Sequence, residues 1–82
     1  MIDSAYFELD GSDPGTRSFC PLSLRRRLDG SHAIEEVDGT IDALGNRSGS
    51  IGVLLDGATF DAAQATYESL INDRLAQGFE RR

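Results

Sequence analysis

The sequence predicts an α+β domain: a small antiparallel sheet of about four to five short strands with one long C-terminal helix packed on one face. Three observations predict it. An amphipathic stretch near the C-terminus is long enough for a helix, the segments before it alternate between apolar and polar residues, and Asp-Gly pairs punctuate those segments. The chain has 82 residues, close to the lower limit for an independent hydrophobic core. We therefore expect residues 1–82 to form a single domain.

The predicted helix covers residues 59–79 and carries its apolar side chains on one face. The apolar positions recur at helical spacing: Phe60, Ala63, Tyr67, Leu70, Ile71 and Leu75. Thr59 and Asp61 are competing candidates for the N-cap, and Gly78 followed by Phe79 is typical of a helix end. Arg74 projects onto the apolar face, where we expect its stem to lie along apolar surface with its charge in water, with a buried pair with an acid as the alternative. The apolar stripe of this helix is expected to form half of the core.

Strands are predicted where apolar and polar residues alternate before the helix. The first covers residues 5–9 and the second covers residues 18–25. Pro21 cannot donate a ladder hydrogen bond, so the second strand is expected to be an edge strand or to be bulged at Pro21. Further strands are predicted at residues 32–37, 40–44 and 50–55.

The Asp-Gly pair occurs four times along the chain. Its copies are Asp10-Gly11, Asp29-Gly30, Asp38-Gly39 and Asp56-Gly57. A type I′ hairpin turn needs positive φ at both central residues, and Asp-Gly accommodates this well. Each pair is therefore expected to end one strand, and the first belongs to a loop at residues 10–15 that is rich in Gly.

Composition narrows the class of protein. No apolar run is long enough to cross a membrane, and the first residues lack the basic and apolar regions of a signal peptide. Cys20 is the only cysteine, which excludes an internal disulfide and fits a reducing compartment. These features predict a cytoplasmic protein.

No constellation of residues indicates catalysis, so the sequence predicts a protein that is not an enzyme. His32 is the only histidine and is expected on the surface beside a turn, because adjacency to Ser31 and Asp29 does not make a catalytic triad. Cys20 is expected to pack in a strand rather than to act as a nucleophile. The acidic residues lack the spacing of a calcium-binding EF-hand, and the glycines do not form a phosphate-binding loop. We therefore expect no cofactor and no metal site.

The distribution of charge indicates the kind of partner. The net charge is −6, all eight bases are arginine, and nine acidic residues lie between Leu28 and Asp73 against one base, Arg47. Such a surface repels a phosphate backbone, so direct binding of nucleic acid is not expected. The predicted partner-binding residues are the acids that crowd together in sequence: Glu35, Glu36, Asp38 and Asp42. We expect them to face a basic protein, with solubility as the alternative reason for their acidity.

The C-terminal third, residues 65–79, resembles the end of a WGR domain, with a helix of this pattern, a basic residue and the Gly78-Phe79 pair. Residues 6–9 stand where the first strand of that family would be. The resemblance implies a small sheet with one long helix. It does not extend to the signature, because Asp38-Gly39-Thr40 stands where the family has Trp-Gly-Arg. The DNA contact that this motif makes in poly(ADP-ribose) polymerases is therefore not carried over.

Three hypotheses follow for the function. The first is a small acidic non-catalytic interaction protein that binds a basic, nucleic-acid-handling partner, in the manner of a phage-type inhibitor such as an anti-CRISPR protein or a DNA mimic. The second is a degenerate WGR-like module that contacts phosphates through Arg25, Arg26 and Arg27, together with Arg81-Arg82. The third is an accessory scaffold subunit. A contiguous negative surface favours the first hypothesis, and a contiguous positive surface favours the second.

Overall fold

The computed structural model describes residues 2–11 and 15–82, so residues 12–14 of the predicted first loop lie outside it. In this part, seven strands form one antiparallel sheet and one helix follows the sixth strand. The elements in chain order are β1 (Asp3–Ala5), β2 (Phe7–Asp10), β3 (Arg17–Phe19), β4 (Leu22–Arg26), β5 (His32–Ile41), β6 (Arg47–Ala58), α1 (Phe60–Ala76) and β7 (Glu80–Arg81). The α+β class is confirmed. The predicted strand number is too low, and the strands are not all short, because β5 and β6 contain 10 and 12 residues.

The sheet is organised around β5. Along one edge β5 pairs with β4 and then with β3, and along its other edge it pairs with β6. Beyond β4 and β3 lie β1 and β2, and β7 completes that side by pairing with β2. The chain therefore meanders from β1 to β6, and its last strand returns to the N-terminal part of the sheet.

Two of the predicted strands are each divided into two. The second is interrupted at Cys20 and Pro21, which separate β3 from β4, as expected for a residue that has no N–H to donate. The edge-strand alternative is wrong, because β3 lies between β2 and β5, and β4 lies between β1 and β5. In the first predicted strand, Tyr6 separates β1 from β2.

The hydrophobic core lies between α1 and one face of the sheet. Its buried members come from β1, β2, β4, β5 and α1: Ala5, Phe7, Leu22, Leu24, Ile34, Ala63 and Tyr67. Pairing of β4 with β5 places Leu24 opposite Ile34 on this face. The other side of the sheet, which no helix covers in the part of the chain described, is called the open face below.

The helix prediction is confirmed in position and in orientation. Ala63 and Tyr67 are buried in the core, and Ile71 packs against it half-buried. Phe60 and Leu75, near the two ends of α1, are exposed. The buried stripe is therefore shorter than predicted. No described helix combines the length and the apolar character that a membrane crossing needs.

Both ends of α1 are capped by local sequence. The Thr59 hydroxyl accepts a hydrogen bond from the Ala62 N–H at 3.3 Å, so Thr59 is the N-cap and Asp61 lies in the first turn. At the other end Gly78 has a φ of 97°. Its N–H donates to the Leu75 carbonyl, and the Phe79 N–H donates to the Arg74 carbonyl, both at 3.1 Å. These two bonds form a Schellman motif, as the Gly78-Phe79 pair predicts.

Only part of the Asp-Gly prediction is correct. Gly30 and Gly57 do have positive φ, at 87° and 70°, but Asp29 and Asp56 do not, so neither pair has the predicted type I′ geometry. Asp56-Gly57 also lies inside β6, which continues to Ala58, so it does not end the strand. Asp38-Gly39, however, lies inside β5 and makes no turn. Gly39 is instead a position of close approach, because a Cβ there would lie 2.6 Å from the Phe19 ring and 2.4 Å from the Ser48 carbonyl oxygen.

The turn between β5 and β6 is built around Asp42 instead. Its Oδ1 accepts hydrogen bonds from the N–H groups of Leu44 and Asn46, both at 2.9 Å. Gly45 takes the positive φ of this turn, at 86°. Residues 40–44 are therefore not a separate strand, because residues 40 and 41 end β5 and the turn begins directly after them.

Candidate functional site

Glu8 is a buried carboxylate on the open face, with 6% of its surface exposed. Side chains alternate along β2, so Glu8 points away from Phe7, which lies in the core. Its Oε1 accepts hydrogen bonds from Nη1 of Arg17 at 3.0 Å and from Nη1 of Arg82 at 2.8 Å. Its Oε2 accepts a hydrogen bond from the Tyr6 hydroxyl at 2.7 Å. Both oxygens of Glu8 therefore have partners.

A third arginine reaches the same carboxylate through Tyr6. Arg47 Nη1 donates to the Tyr6 hydroxyl at 2.6 Å, and its Nη2 lies 4.0 Å from Glu8 Oε2. The Arg47 guanidinium also lies 5.6 Å from the centre of the Tyr6 ring and 5.1 Å from that of Phe19, both distances typical of cation–π contacts. Tyr6, Glu8, Arg17, Arg47 and Arg82 are called the Glu8 cluster below.

The fold assembles this cluster from distant parts of the chain. Arg17 and Arg47 are the first residues of β3 and β6, and both pair with Ile41 of β5 on its two sides, so they lie in one row across the sheet. Arg82 follows β7, and its N–H donates to the Tyr6 carbonyl at 2.8 Å. Pairing of β7 with β2 thus delivers the last arginine to the cluster.

The electrostatics of the cluster favour an ionised carboxylate. The hydrogen bond from Tyr6 lowers the pKa of Glu8 below its usual range, and the guanidiniums of Arg17, Arg82 and Arg47 lower it further, against the opposing effect of burial. Arg82 also donates to Glu80 at 2.9 Å. One buried negative charge is therefore matched with three positive charges.

A second cluster lies on the helix face and involves Cys20, Glu36 and Arg74. Arg74 Nη2 donates to Glu36 Oε2, and Arg74 Nε donates to the Cys20 sulfur at 3.2 Å. Only 14% of the Arg74 side chain is exposed, so the expectation that its charge lies in water is wrong. Burial raises the pKa of the Cys20 thiol, which disfavours the thiolate that a nucleophile needs.

The four predicted partner-binding acids do not form one surface. Glu35 and Glu36 are adjacent in β5 and point to opposite faces. Glu35 pairs with Arg25 at 3.4 Å, and Glu36 pairs with Arg74. The Asp42 carboxylate serves the β5–β6 turn, where the hydrogen bond from the Asn46 N–H lowers its pKa. Asp38 is exposed.

The three arginines of the predicted phosphate site line one surface cavity, but two of them are paired with acids. Arg25 is held by Glu35, and Arg27 Nε donates to Asp56 Oδ1 at 2.6 Å. Arg26 lies between them in sequence and at the end of β4, where alternation turns it to the other face of the sheet. Glu35 and Asp56 therefore offset two of the three positive charges of this run.

The structure corrects the expectation for His32, which is not a surface residue. It is 8% exposed, and its ring packs edge-on against Phe60 with 5.3 Å between ring centres. Among the described residues, Nδ1 of His32 has no hydrogen-bond partner. The buried imidazole of His32 therefore packs where β5 contacts the start of α1.

The outer edge of β6 is the most apolar exposed region of the sheet. β6 pairs with β5 on one side, and no described strand pairs with its other side. Ile51, Val53 and Leu54 are exposed by 72%, 55% and 41%. The register against β5 shifts between Ile34 and Glu35, which makes Leu54 the extra residue of a β-bulge.

These features define an α+β domain with a long open sheet edge at β6 and one arginine-rich cluster. Within residues 2–11 and 15–82, no group of His, Cys, Asp or Glu is arranged to hold a metal ion. No protein-family model matches the chain, and comparisons with curated proteins and with solved structures find no match. The assignment of function therefore depends on the geometry of the two surfaces.

Sequence reasoning missed the Glu8 cluster. Alternation in the first strand does place Tyr6 and Glu8 on the same side, which is the one local signal. The partners of Glu8 are 9 and 74 residues away in sequence. A pairing of this range follows from the topology of the sheet, which local patterns do not specify.

Proposed function

We propose that the protein is a small non-catalytic interaction protein that binds an extended, basic segment of a partner protein along the open edge of β6. The observation that carries the proposal is this edge: a strand of 12 residues with one unpaired side in the described structure. An edge strand presents a row of backbone donors and acceptors, and an extended peptide satisfies them by adding a strand to the sheet.

The side chains of β6 supply the apolar part of such an interface. Ile51 pairs with Val37 and Val53 pairs with Glu35, so both point to the open face. Both are more than half exposed, and an added strand would cover them with its own apolar side chains at alternate positions. Covering apolar surface of this kind contributes roughly 25 cal/mol per Å².

The basic character of the partner follows from charge. The protein carries −6 in total. Asp38 is exposed on β5 opposite Ser50 of β6, so an exposed carboxylate lies on the strand next to the edge, whereas Asp56 near the end of β6 is paired with Arg27. Lysine or arginine in the added segment would therefore be attracted to this edge, mainly through a faster association. Acidic segments would be repelled.

An inhibitor of a nucleic-acid-handling machine is one form of this proposal, and DNA mimicry is a narrower one. A DNA mimic needs a contiguous negative surface. Glu35 and Glu36 are on opposite faces and are paired with arginines, so these residues give mimicry little support. The open edge supports binding of a basic protein without requiring such a surface. The scaffold-subunit hypothesis shares this edge and differs only in the role of its partner.

The test uses a partner captured from a cell lysate and then purified. We expect Ile51→Lys to weaken its binding by about tenfold or more, because a lysine on an edge strand opposes strand addition. Ser69→Lys, an equal charge change on the exposed side of α1, is the control and should alter binding by about twofold at most. Hydrogen exchange on the complex should show new protection of β6 amides. Equal losses in both variants, or protection confined to α1, would overturn the proposal.

A further inference from the structure

We propose that Arg17, Arg47 and Arg82 form a binding site for a phosphate group, with Glu8 as the positioning residue that holds the arginines in place. The site is on the open face and does not depend on the β6 edge proposed above. The ligand class is a dianionic phosphate, either the free ion or a phosphomonoester of a small molecule.

The first argument is charge. One guanidinium is enough to neutralise one buried carboxylate, yet three converge on Glu8. Glu80, which pairs with Arg82 at 2.9 Å, is a second carboxylate on these three guanidiniums, so the cluster together with Glu80 carries an excess of one positive charge. A phosphomonoester, which carries about −1.5 to −2 at pH 7, would be attracted to this excess. Glu80 and Asp10 are the other acids near the cluster, and both are exposed.

The second argument is unused hydrogen-bonding capacity. A guanidinium has five N–H donors. Within the described residues, the Arg17 guanidinium donates one hydrogen bond to Glu8, that of Arg47 donates one to Tyr6, and that of Arg82 donates one each to Glu8 and Glu80. The side chains of the three arginines are 41%, 53% and 41% exposed. Donors thus remain on the solvent side, where an oxyanion can accept several of them at once.

The third argument is preorganisation. Glu8 is buried and binds two of the arginines through a single oxygen, which brings their guanidiniums close together against their mutual repulsion. Arg47 is fixed by the Tyr6 hydroxyl and by the faces of two aromatic rings. Arginines that are already held in place lose less side-chain entropy when a ligand binds. A phosphate would also relieve the repulsion between them.

The experiment follows the Nε–H signals of the arginines by NMR while inorganic phosphate is added to the intact protein. In a parallel titration glycerol phosphate is added, and potassium chloride at equal ionic strength reports screening alone. We expect saturable shifts at Arg17, Arg47 and Arg82 with phosphate and none with chloride. Saturation by both phosphates identifies a phosphomonoester site, and saturation by inorganic phosphate alone identifies a site for the free ion.

Two variants of equal charge change test the assignment. Arg47→Gln should weaken phosphate binding by about tenfold, since it removes one of three guanidiniums. Arg26→Gln, at an exposed arginine outside the Glu8 cluster, should change it by about twofold at most. If Arg47→Gln does not fold, Arg17→Gln takes its place. Shifts in the wild type that do not saturate, that chloride reproduces, or that both variants weaken equally would overturn the proposal.

Discussion

The guanidinium of Arg47 lies 5.1 Å from the centre of the Phe19 ring, on the open face of the sheet. Phe19 is nevertheless 8% exposed, because Arg47 covers one part of the ring and Gly39 of β5 lies against another. An arginine therefore completes the burial of an aromatic residue on the face that the helix does not cover. This layer of Gly39, Phe19 and Arg47 depends on the absence of a side chain at residue 39.

Gly39→Ala is expected to destabilise the protein by about 2–3 kcal/mol, because the new methyl group would force the Phe19 ring or the Ser48 carbonyl to move. Gly52→Ala is the matched control, since a Cβ there would first meet Glu36 Cγ at 4.0 Å. It should change stability by about 0.5 kcal/mol or less. Urea unfolding of both variants measures this difference, and similar stabilities would contradict the packing role of Gly39.

Tyr6→Phe and Tyr67→Phe remove the same atom with opposite expected results. The buried Tyr67 hydroxyl has no hydrogen-bond partner among residues 2–11 and 15–82, so its removal should leave stability unchanged or raise it by up to about 1 kcal/mol. The Tyr6 hydroxyl donates to Glu8 and accepts from Arg47. Its removal should cost about 1–2 kcal/mol. A urea melt in which Tyr67→Phe is the less stable variant would refute this assignment.

Glu8 should make the stability of the protein sensitive to acid. Its pKa in the folded state is lowered below the ordinary value of 4.5, first by the Tyr6 hydroxyl and then by the arginines. A depressed carboxyl pKa stabilises the fold above the unfolded-state pKa, and this contribution is lost as the pH falls through the folded-state pKa. We therefore expect the free energy of unfolding to decrease as the pH falls below about 4.5.

The variant Glu8→Gln tests this assignment. It should be less stable than the wild type at pH 7, because the arginines lose their counter-charge, and its stability should fall less steeply in acid. Some acid sensitivity should remain, because hydrogen bonds from Ser31 and Asn46 also lower the pKa values of Asp29 and Asp42. Urea melts measure the free energy of unfolding at neutral and acidic pH. If it falls as steeply in Glu8→Gln as in the wild type, Glu8 contributes nothing to the acid sensitivity.

The Arg74–Glu36 pair should show a larger coupling energy than an exposed pair. The two side chains are 14% and 20% exposed, so a double-mutant cycle with Arg74→Met and Glu36→Gln is expected to give about 1–3 kcal/mol. The Arg27–Asp56 pair is 41% and 56% exposed, and its cycle should give less than about 1 kcal/mol. Equal couplings in the two cycles would show that burial does not strengthen the first pair.

Duplex DNA should not bind at physiological salt. The net charge of −6 repels a phosphate backbone, and two members of the run Arg25, Arg26 and Arg27 are paired with acids. Fluorescence anisotropy of a labelled duplex at about 0.15 M salt measures whether the protein binds DNA. Micromolar affinity that disappears when the three arginines are changed to alanine would instead support the WGR-like hypothesis.

The parts of the fold that local sequence could predict are those with local causes. Thr59 and Gly78 cap the helix through bonds to residues three or four positions away, and Pro21 interrupts its strand because it has no N–H. The prediction of a turn at Asp38-Gly39 is wrong for the converse reason. Its preference for a turn is a local property, and the contact of Gly39 with Phe19 and Ser48 outweighs it in the folded sheet.

The candidate surfaces were harder to predict. The density of acids around Glu35 is visible in the sequence, but their neutralisation by Arg25 and Arg74 depends on which strands and helix become neighbours. Alternation at residues 50–55 predicts a strand, but it does not show that this strand is at the edge of the sheet, where Ile51 and Val53 are left exposed. Alternation identifies a face of a strand, and strand order decides whether that face is covered.

The short connection between β5 and β6 has a consequence for the order of folding. Asp42 closes this hairpin through bonds to Leu44 and Asn46, so its two long strands meet with little loss of loop entropy. The contact of β7 with β2 joins opposite ends of the described chain. Its formation therefore costs the most loop-closure entropy. We expect the hairpin to be formed in the transition state and the β7 contact to follow it. Variants of Asp42 should therefore slow refolding, whereas variants of Arg82 should mainly accelerate unfolding.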